Sequence, residues 1–177
     1  MKLHIGCGTK YIDGFKHMDA IPRNHVDYVG NANDLSFLQD NSLDEIYACH
    51  ILEHIGRLEI KDLLKEWSRV VKPGGSMRLA VPDFEAVVLH YNEHKNLDII
   101  MGLLYGGQDY EFNFHYQAYD FNRLEKLLLE VGFTNVQKYD WQEFLPENYD
   151  DFSKAYLPHM DFENGRLMSL NIIATKK

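Results

Sequence analysis

The chain has 177 residues, of which 45% are hydrophobic and 25% charged, and its formal net charge is −9. This composition is typical of one soluble globular domain. The acidic balance disfavours nucleic acid as a partner, because phosphate contacts need clustered Lys and Arg side chains. No apolar run approaches the ~18 residues of a membrane-spanning helix, and the first residues do not resemble a signal peptide. We therefore expect a cytoplasmic protein with no membrane contact, whose two cysteines are free thiols.

The first predicted elements are two short strands joined by a glycine turn. Leu3 to Ile5 form the first strand, Gly6-Cys7-Gly8 the turn, and Phe15 to Met18 a second strand that ends in Asp19. This layout is typical of a nucleoside-binding crevice, because glycines let a ligand contact the backbone and a carboxylate can accept hydrogen bonds from a ribose diol. Taken alone, the pattern also fits a glycine turn between two core segments.

The remaining elements alternate between strands and helices. Strands are predicted at 27–30, 43–49, 77–81, 133–141 and 167–175, and helices near 60–71, after Asp83 and after Asp120. The helix near 60–71 has apolar residues at steps of three and four and is followed by Lys72-Pro-Gly-Gly75. Such alternation predicts a parallel sheet with helices on both faces. No break in composition marks a second domain, so residues 1–177 are expected to form one.

An ordered series of short motifs runs along nearly the whole chain. In chain order they are His4-Ile-Gly-Cys-Gly8, Asp19, Asn31-Ala32, Tyr47-Ala-Cys-His-Ile-Leu-Glu-His54, Val70-Val-Lys-Pro-Gly-Gly75 and Leu127-Leu-Leu-Glu-Val-Gly-Phe133. This series resembles the class I S-adenosylmethionine-dependent methyltransferases, most of all small predicted members with GCG, LEH, KPGG and VPDF motifs. The resemblance implies an α/β, Rossmann-like three-layer sandwich. Its mostly parallel seven-stranded sheet would have the order 3-2-1-4-5-7-6, with the last strand antiparallel.

The same resemblance implies S-adenosylmethionine as the cofactor. Asp19 would accept both ribose hydroxyls, and the Ala32 N–H would face the adenine. Asn31 stands where the family usually has Asp, and its amide oxygen can still accept a hydrogen bond. The full set of expected cofactor-binding residues is Ile5, Gly6, Cys7, Gly8, Asp19, Asn31, Ala32, Leu35 and His50.

The spacing of the first motifs departs from the common pattern. Only ten residues separate Gly8 from Asp19, so the first helix is expected to be a turn or two at most. A dinucleotide oxidoreductase is disfavoured as well, because its fingerprint has a third glycine and an acid about 20 residues further on.

Methyl transfer requires the acceptor to be held in line with the sulfonium methyl, and a hydroxyl acceptor also needs a base within hydrogen-bond reach. The candidate catalytic residues are His115, His50 and Asp83, with His54 beside them. Asp83 also fits a helix N-cap. No metal is expected in the site.

Aromatic residues concentrate in two segments, about 98–120 and 142–166, which we expect to cover the site and select the acceptor. The acceptor is expected to be a small molecule or glycan-type hydroxyl. A non-catalytic S-adenosylmethionine-binding module is one alternative. The other is a zinc hydrolase, because His50-Ile-Leu-Glu-His54 matches the H-x-x-E-H pattern, with Glu53 as base.

Overall fold

The computed structural model describes residues 1–177, and a seven-stranded sheet forms its centre. The strands of the chain are β1 (Lys2–Ile5), β2 (Phe15–Asp19), β3 (Tyr28–Val29), β4 (Leu43–Cys49), β5 (Val71–Pro82), β6 (Phe133–Lys138), β7 (Tyr156–Leu157), β8 (Arg166–Leu167) and β9 (Ser169–Lys176). The sheet order is β3-β2-β1-β4-β5-β9-β6. Only β9 runs antiparallel to its neighbours β5 and β6. This confirms the predicted fold class and order, with β9 as the seventh strand, while β7 and β8 pair separately.

Five α-helices surround the sheet: α1 (Ile60–Val70), α2 (Phe84–His94), α3 (Met101–Tyr105), α4 (Phe121–Glu130) and α5 (Trp141–Phe144). Short 3₁₀ helices cover Leu52–His54, Asp98–Ile100 and Phe152–Lys154. No helix is long and apolar enough to cross a membrane.

The core lies between the sheet and the helices α1 and α4. Leu3 and Ile5 of β1 are buried because β1 is a central strand covered on both faces. Trp67 of α1 is fully buried in the same cluster, as its three- and four-residue apolar spacing predicts. The main core therefore holds the sheet rigidly behind the carboxyl ends of β1, β2 and β4.

The connection between β1 and β2 differs from the sequence-based expectation of a short helix. Residues 6–14 form turns and contain no helix. Ile12 is buried, and its N–H donates to the His17 Nε2 atom at 3.0 Å. The ten residues between Gly8 and Asp19 are thus used to bring Ile12 back onto the sheet.

Candidate active site

One large cavity opens at the carboxyl ends of β1, β2 and β4, with a volume of about 1280 Å³. It is lined by the glycine turn, by the ends of β2 and β3, by the segment after β4, and by parts of both aromatic segments. The expected cofactor residues that line it are Ile5, Gly6, Cys7, Gly8, Asp19, Asn31, Ala32 and His50. Leu35 does not line it, because its side chain is fully buried in the main core.

The glycine turn needs two residues in the left-handed region of backbone conformation. Gly6 has φ +67° and Gly8 has φ +55°. A Cβ at Gly6 would lie 1.9 Å from the Ile51 Cδ1 atom, so this glycine lets the segment after β4 pack against the turn. A Cβ at Gly8 would meet no protein atom within 4 Å, so the backbone there is open on its outer side.

Asp19 is fixed by the backbone on both sides of its strand end. One carboxylate oxygen accepts from the Gly8 N–H at 2.7 Å, and the other accepts from the Ile21 N–H at 2.9 Å. Each carboxylate oxygen can accept a second hydrogen bond. The half-buried carboxylate can therefore take two further donors from the cavity, as a ribose diol would offer.

The loop after β3 is held by α1. The Trp67 Nε1–H donates to the Ala32 carbonyl at 2.7 Å, and Arg69 donates to the Leu35 and Leu38 carbonyls at 3.0 Å. The Ala32 N–H has no acceptor within the chain. The Asn31 side-chain oxygen accepts only a long bond, 3.4 Å, from the Asn33 N–H. A backbone donor and an amide oxygen are thus free for a ligand at the cavity edge.

Cys7 and Cys49 are both free, as expected. Burial raises the pKa of the Cys7 thiol to about 12, and the charge of Asp19 adds to this effect. A thiol with so high a pKa is a poor nucleophile near neutral pH. Cys7 therefore acts as a small packed side chain within the turn.

His50 follows β4 in a left-handed conformation, with φ +53°. Its Nε2 atom lies 3.2 Å from the Ser169 hydroxyl, which itself donates to the Asn171 side-chain oxygen. Since that hydroxyl hydrogen is already used, Ser169 accepts from the His50 Nε2–H. The His50 Nδ1 atom lies 3.1 Å from a Glu53 carboxylate oxygen, which is within ion-pair distance but is not aligned as a hydrogen bond.

Glu53 is fully buried, and neither of its carboxylate oxygens has a well-aligned hydrogen-bond donor. Burial by itself would raise the pKa of this carboxyl. The His50 and His54 imidazoles outweigh burial and leave the pKa below its usual value. Glu53 is therefore a buried anion at the cavity wall.

His54 and His115 meet at this wall, with ring centroids 4.8 Å apart. The His54 Nδ1 atom bonds the Phe114 carbonyl at 3.1 Å, and the His115 Nδ1 atom bonds the Leu103 carbonyl at 3.0 Å. Burial lowers the pKa of His115, although the Glu53 carboxylate opposes this shift. His115 is thus a neutral imidazole near pH 7.

Asp83 lies away from the cavity wall. Its side chain accepts from the N–H groups of Glu85 and Ala86, which makes it the N-cap of α2. Burial raises the pKa of this carboxyl, while the same backbone donors lower it less.

The zinc-hydrolase alternative, based on the H-x-x-E-H pattern of His50 to His54, requires a regular helix through these residues. Only Leu52–His54 are helical, and they form a 3₁₀ turn.

Sequence reasoning did not single out Asp151, which also lines the cavity. It accepts from the Tyr47 hydroxyl and from the Ser153 N–H at 2.9 Å. The only sequence signal was an acidic residue one position before an aromatic one, and many surface loops share that feature.

Comparisons with known proteins agree with this geometry. Residues 11–79 match a family model described as a methyltransferase domain. A methyltransferase from Archaeoglobus fulgidus is 16% identical, with a TM-score of 0.59 over 99% of this chain and 85% of that one. A possible histamine N-methyltransferase from Thermotoga maritima is 21% identical, with a TM-score of 0.59 over 99% and 81%. No curated protein sequence matches the chain.

A third solved structure has bound ligands. It is 1,6-didemethyltoxoflavin-N1-methyltransferase from Burkholderia thailandensis, with its acceptor and S-adenosylhomocysteine. It is 13% identical, with a TM-score of 0.57 over 99% of this chain and 70% of that one. Residues 11–79 thus resemble a methyltransferase domain, and the chain shares its fold with solved S-adenosylmethionine-dependent methyltransferases. The predicted resemblance is confirmed, and these matches support S-adenosylmethionine as the cofactor.

Proposed function

We propose that this methyltransferase domain transfers the methyl group of S-adenosylmethionine to a hydroxyl of a small-molecule or glycan-type acceptor. One observation carries the proposal: a single cavity holds both the fixed Asp19 carboxylate and the imidazoles of His50 and His115. The first can hold a nucleoside, and the second can act on an acceptor beside it.

The cofactor would lie across the glycine turn. Asp19 has acceptor capacity for both ribose hydroxyls, and the Ala32 N–H is free for a ring nitrogen of the adenine. The open side of Gly8 leaves room for the ribose and methionine parts to approach the backbone. The sulfonium methyl would then point toward the segment that begins at His50.

The protein has little covalent chemistry to perform, because the sulfonium already activates the methyl group. Its task is to align the acceptor oxygen with the methyl carbon and to remove the hydroxyl proton. Since the His115 Nδ1–H donates to the Leu103 carbonyl, its Nε2 atom carries a lone pair. A neutral imidazole of this kind can accept the hydroxyl proton.

Aromatic side chains at the cavity support an acceptor with a flat or apolar face. Tyr110, Phe112, Tyr116 and Phe152 line the cavity and remain about half exposed or more. Exposed rings of this kind can stack on sugar faces and ring systems. The solved neighbours with named acceptors are N-methyltransferases, so amines belong in any acceptor screen.

Calorimetry with S-adenosylmethionine and S-adenosylhomocysteine tests the cofactor assignment. We expect wild type to bind both compounds. Asp19→Ala should bind them roughly 10- to 100-fold more weakly, because the ribose hydroxyls lose the charged carboxylate to which they would donate hydrogen bonds. Asp13→Ala, an exposed acid in the same connection, is the matched control and should bind normally. Failure of wild type to bind either compound would overturn the proposal.

A screen for S-adenosylhomocysteine release tests the acceptor assignment. Phenols, sugars and matched amines would be offered to wild type, Tyr116→Ala and Tyr156→Ala. We expect hydroxyl compounds to be methylated, and the two variants to change acceptor turnover while cofactor affinity stays nearly constant. Methylation of amines alone would contradict the hydroxyl assignment, and cofactor binding without any turnover would indicate a non-catalytic module.

A further inference from the structure

Three potential metal ligands meet at the cavity wall from two distant parts of the chain. Glu53 and His54 follow β4, and His115 lies between α3 and α4. One ligand atom from each lies within 4.8 Å of the others. All three residues line the cavity that also contains the glycine turn and Asp19.

Both histidines are already oriented as metal ligands usually are. Their Nδ1 atoms lie at hydrogen-bond distance from the Phe114 and Leu103 carbonyls, which can only accept. Each imidazole therefore carries its hydrogen on Nδ1 and its lone pair on Nε2. A backbone carbonyl holding the other ring nitrogen is the common support for a metal-binding histidine.

Glu53 supplies an independent reason to expect a cation here. A fully buried carboxylate is normally surrounded by hydrogen-bond donors, because removal of its hydration shell is costly. Neither oxygen of Glu53 has such a donor, and only the His50 imidazole lies at ion-pair distance. The carboxylate thus has unused acceptor capacity close to the imidazoles of His54 and His115.

We propose that Glu53, His54 and His115 bind one divalent transition-metal ion, such as Zn²⁺ or Co²⁺. Imidazole ligands favour these ions over Mg²⁺ and Ca²⁺, which prefer oxygen ligands. Zinc ligands lie about 2.0–2.2 Å from the metal, so the three ligand atoms would move together by roughly an ångström on binding. This proposal departs from the sequence-based expectation that the site holds no metal.

The ion would act on the acceptor, a role that rests on the proposed methyl transfer. Three protein ligands leave at least one coordination position open to the cavity. An acceptor hydroxyl bound there loses its proton to solvent water more readily. Its oxygen then bonds the methyl carbon, while the carbon–sulfur electron pair stays on sulfur as S-adenosylhomocysteine leaves. His115 would in this case activate the hydroxyl through the ion instead of accepting its proton.

The test uses the full chain stripped of metal with a chelator and then titrated with ZnCl₂, CoCl₂ or MgCl₂. Thermal stability and the visible absorption of bound Co²⁺ are the readouts. The variants are Glu53→Gln and His115→Gln. The control is His94→Gln, which removes an exposed histidine from a second H-x-x-E-H pattern on α2.

We expect Zn²⁺ and Co²⁺, but not Mg²⁺, to raise the unfolding temperature of wild type and His94→Gln. The affinity of Glu53→Gln and His115→Gln should fall at least about tenfold. The proposal is overturned if wild type binds neither ion, if both variants bind normally, or if His94→Gln alone loses binding. Circular dichroism verifies folding, and His115→Gln decides the matter if Glu53→Gln misfolds.

Calorimetry with S-adenosylmethionine on the same stripped protein separates this proposal from the methyltransferase assignment. Cofactor binding without metal binding would overturn only the metal site. Metal binding without cofactor binding would overturn only the proposed function.

Discussion

The chain contains the pattern H-x-x-E-H twice, and the two copies have very different surroundings. The first copy, His50 to His54, lies at the cavity wall. His50 has a left-handed backbone conformation, and Leu52–His54 form a 3₁₀ turn. His90 to His94 form the last turn of the regular helix α2. Glu53 is fully buried without aligned donors, whereas Glu93 is exposed and bonded twice by Arg166, at 2.8 and 3.0 Å.

The difference shows that the partners of the carboxylate, more than the spacing of the pattern, decide what each copy can do. On α2 the negative charge of Glu93 is already neutralised by a guanidinium. At the cavity wall the charge of Glu53 has only imidazoles around it. A third imidazole, His115, joins the cavity copy from elsewhere in the chain, and α2 has no counterpart to it in the same arrangement.

The largest expected effect on stability comes from reversing the charge of Glu53, and the same change at Glu93 is its comparison. Glu53→Lys should destabilise the protein by about 3–5 kcal/mol, because it buries an unpaired ammonium beside imidazoles. Glu93→Lys should cost less than about 1 kcal/mol, since it disrupts an exposed ion pair. Urea unfolding of metal-free protein measures both changes.

An apolar control keeps that comparison measurable if Glu53→Lys does not fold. Glu53→Met fills a similar volume without a charge and should cost less than the Lys variant. Equal destabilisation by Glu53→Lys and Glu93→Lys would remove the distinction between the two copies.

The backbone conformation also differs between the two copies of the pattern. The stability difference between Gly and Ala variants should therefore have opposite signs at His50 and His94. His50→Gly should be more stable than His50→Ala by about 1 kcal/mol, because only glycine adopts φ +53° without strain. His94→Ala should be more stable than His94→Gly by about 0.5–1 kcal/mol, since alanine favours the helix. Urea unfolding of the four variants is sufficient, and the same order at both positions would contradict the backbone difference.

The fold could be predicted well from the sequence, because local signals there agree with the tertiary structure. Three features could be predicted because each depends on residues that are near in sequence. They are the apolar spacing of α1, the glycines of the first turn, and Asp19 at a strand end. The absence of the first helix follows from a short connection, but the return of Ile12 to His17 is a tertiary contact that no local pattern reveals.

The candidate site was only partly predictable for the same physical reason. His54 and His115 are 61 positions apart in the chain, and their contact depends on how the segment after α3 folds back. Leu35 and Asp83 have residue types that suit either a site or a structural role. Packing decides between these roles, and it places Leu35 in the core and Asp83 at a helix cap.

A smaller expected effect is the pH dependence of stability that His90 of α2 contributes. Burial lowers the pKa of His90 below its ordinary 6.5, with further contributions from His94 and Arg166 and opposition from Glu93. Unfolded His90 gains a proton below pH 6.5 while folded His90 resists it, so stability falls as the pH drops through this window. The slope is at most about 1.4 kcal/mol per pH unit.

Urea unfolding at about pH 7 and about pH 5.5, for wild type and His90→Gln, measures this contribution. We expect the variant to lose less stability on acidification than wild type. An identical loss would mean that burial of His90 does not control its protonation.

The smallest expected effect is that of the ion pair on α2. Arg166→Ala should destabilise the protein by less than about 1 kcal/mol, and the difference should shrink in about 0.5 M NaCl, because Glu93 is exposed, Arg166 is partly exposed, and salt screens the pair. The variant also frees the Glu93 carboxylate. Zn²⁺ should then stabilise Arg166→Ala no more than wild type, because an exposed carboxylate keeps its hydration and gains little from a cation. Additional Zn²⁺ stabilisation in Arg166→Ala, lost again in Arg166→Ala/His94→Gln, would show that the spacing of the pattern alone can build a metal site.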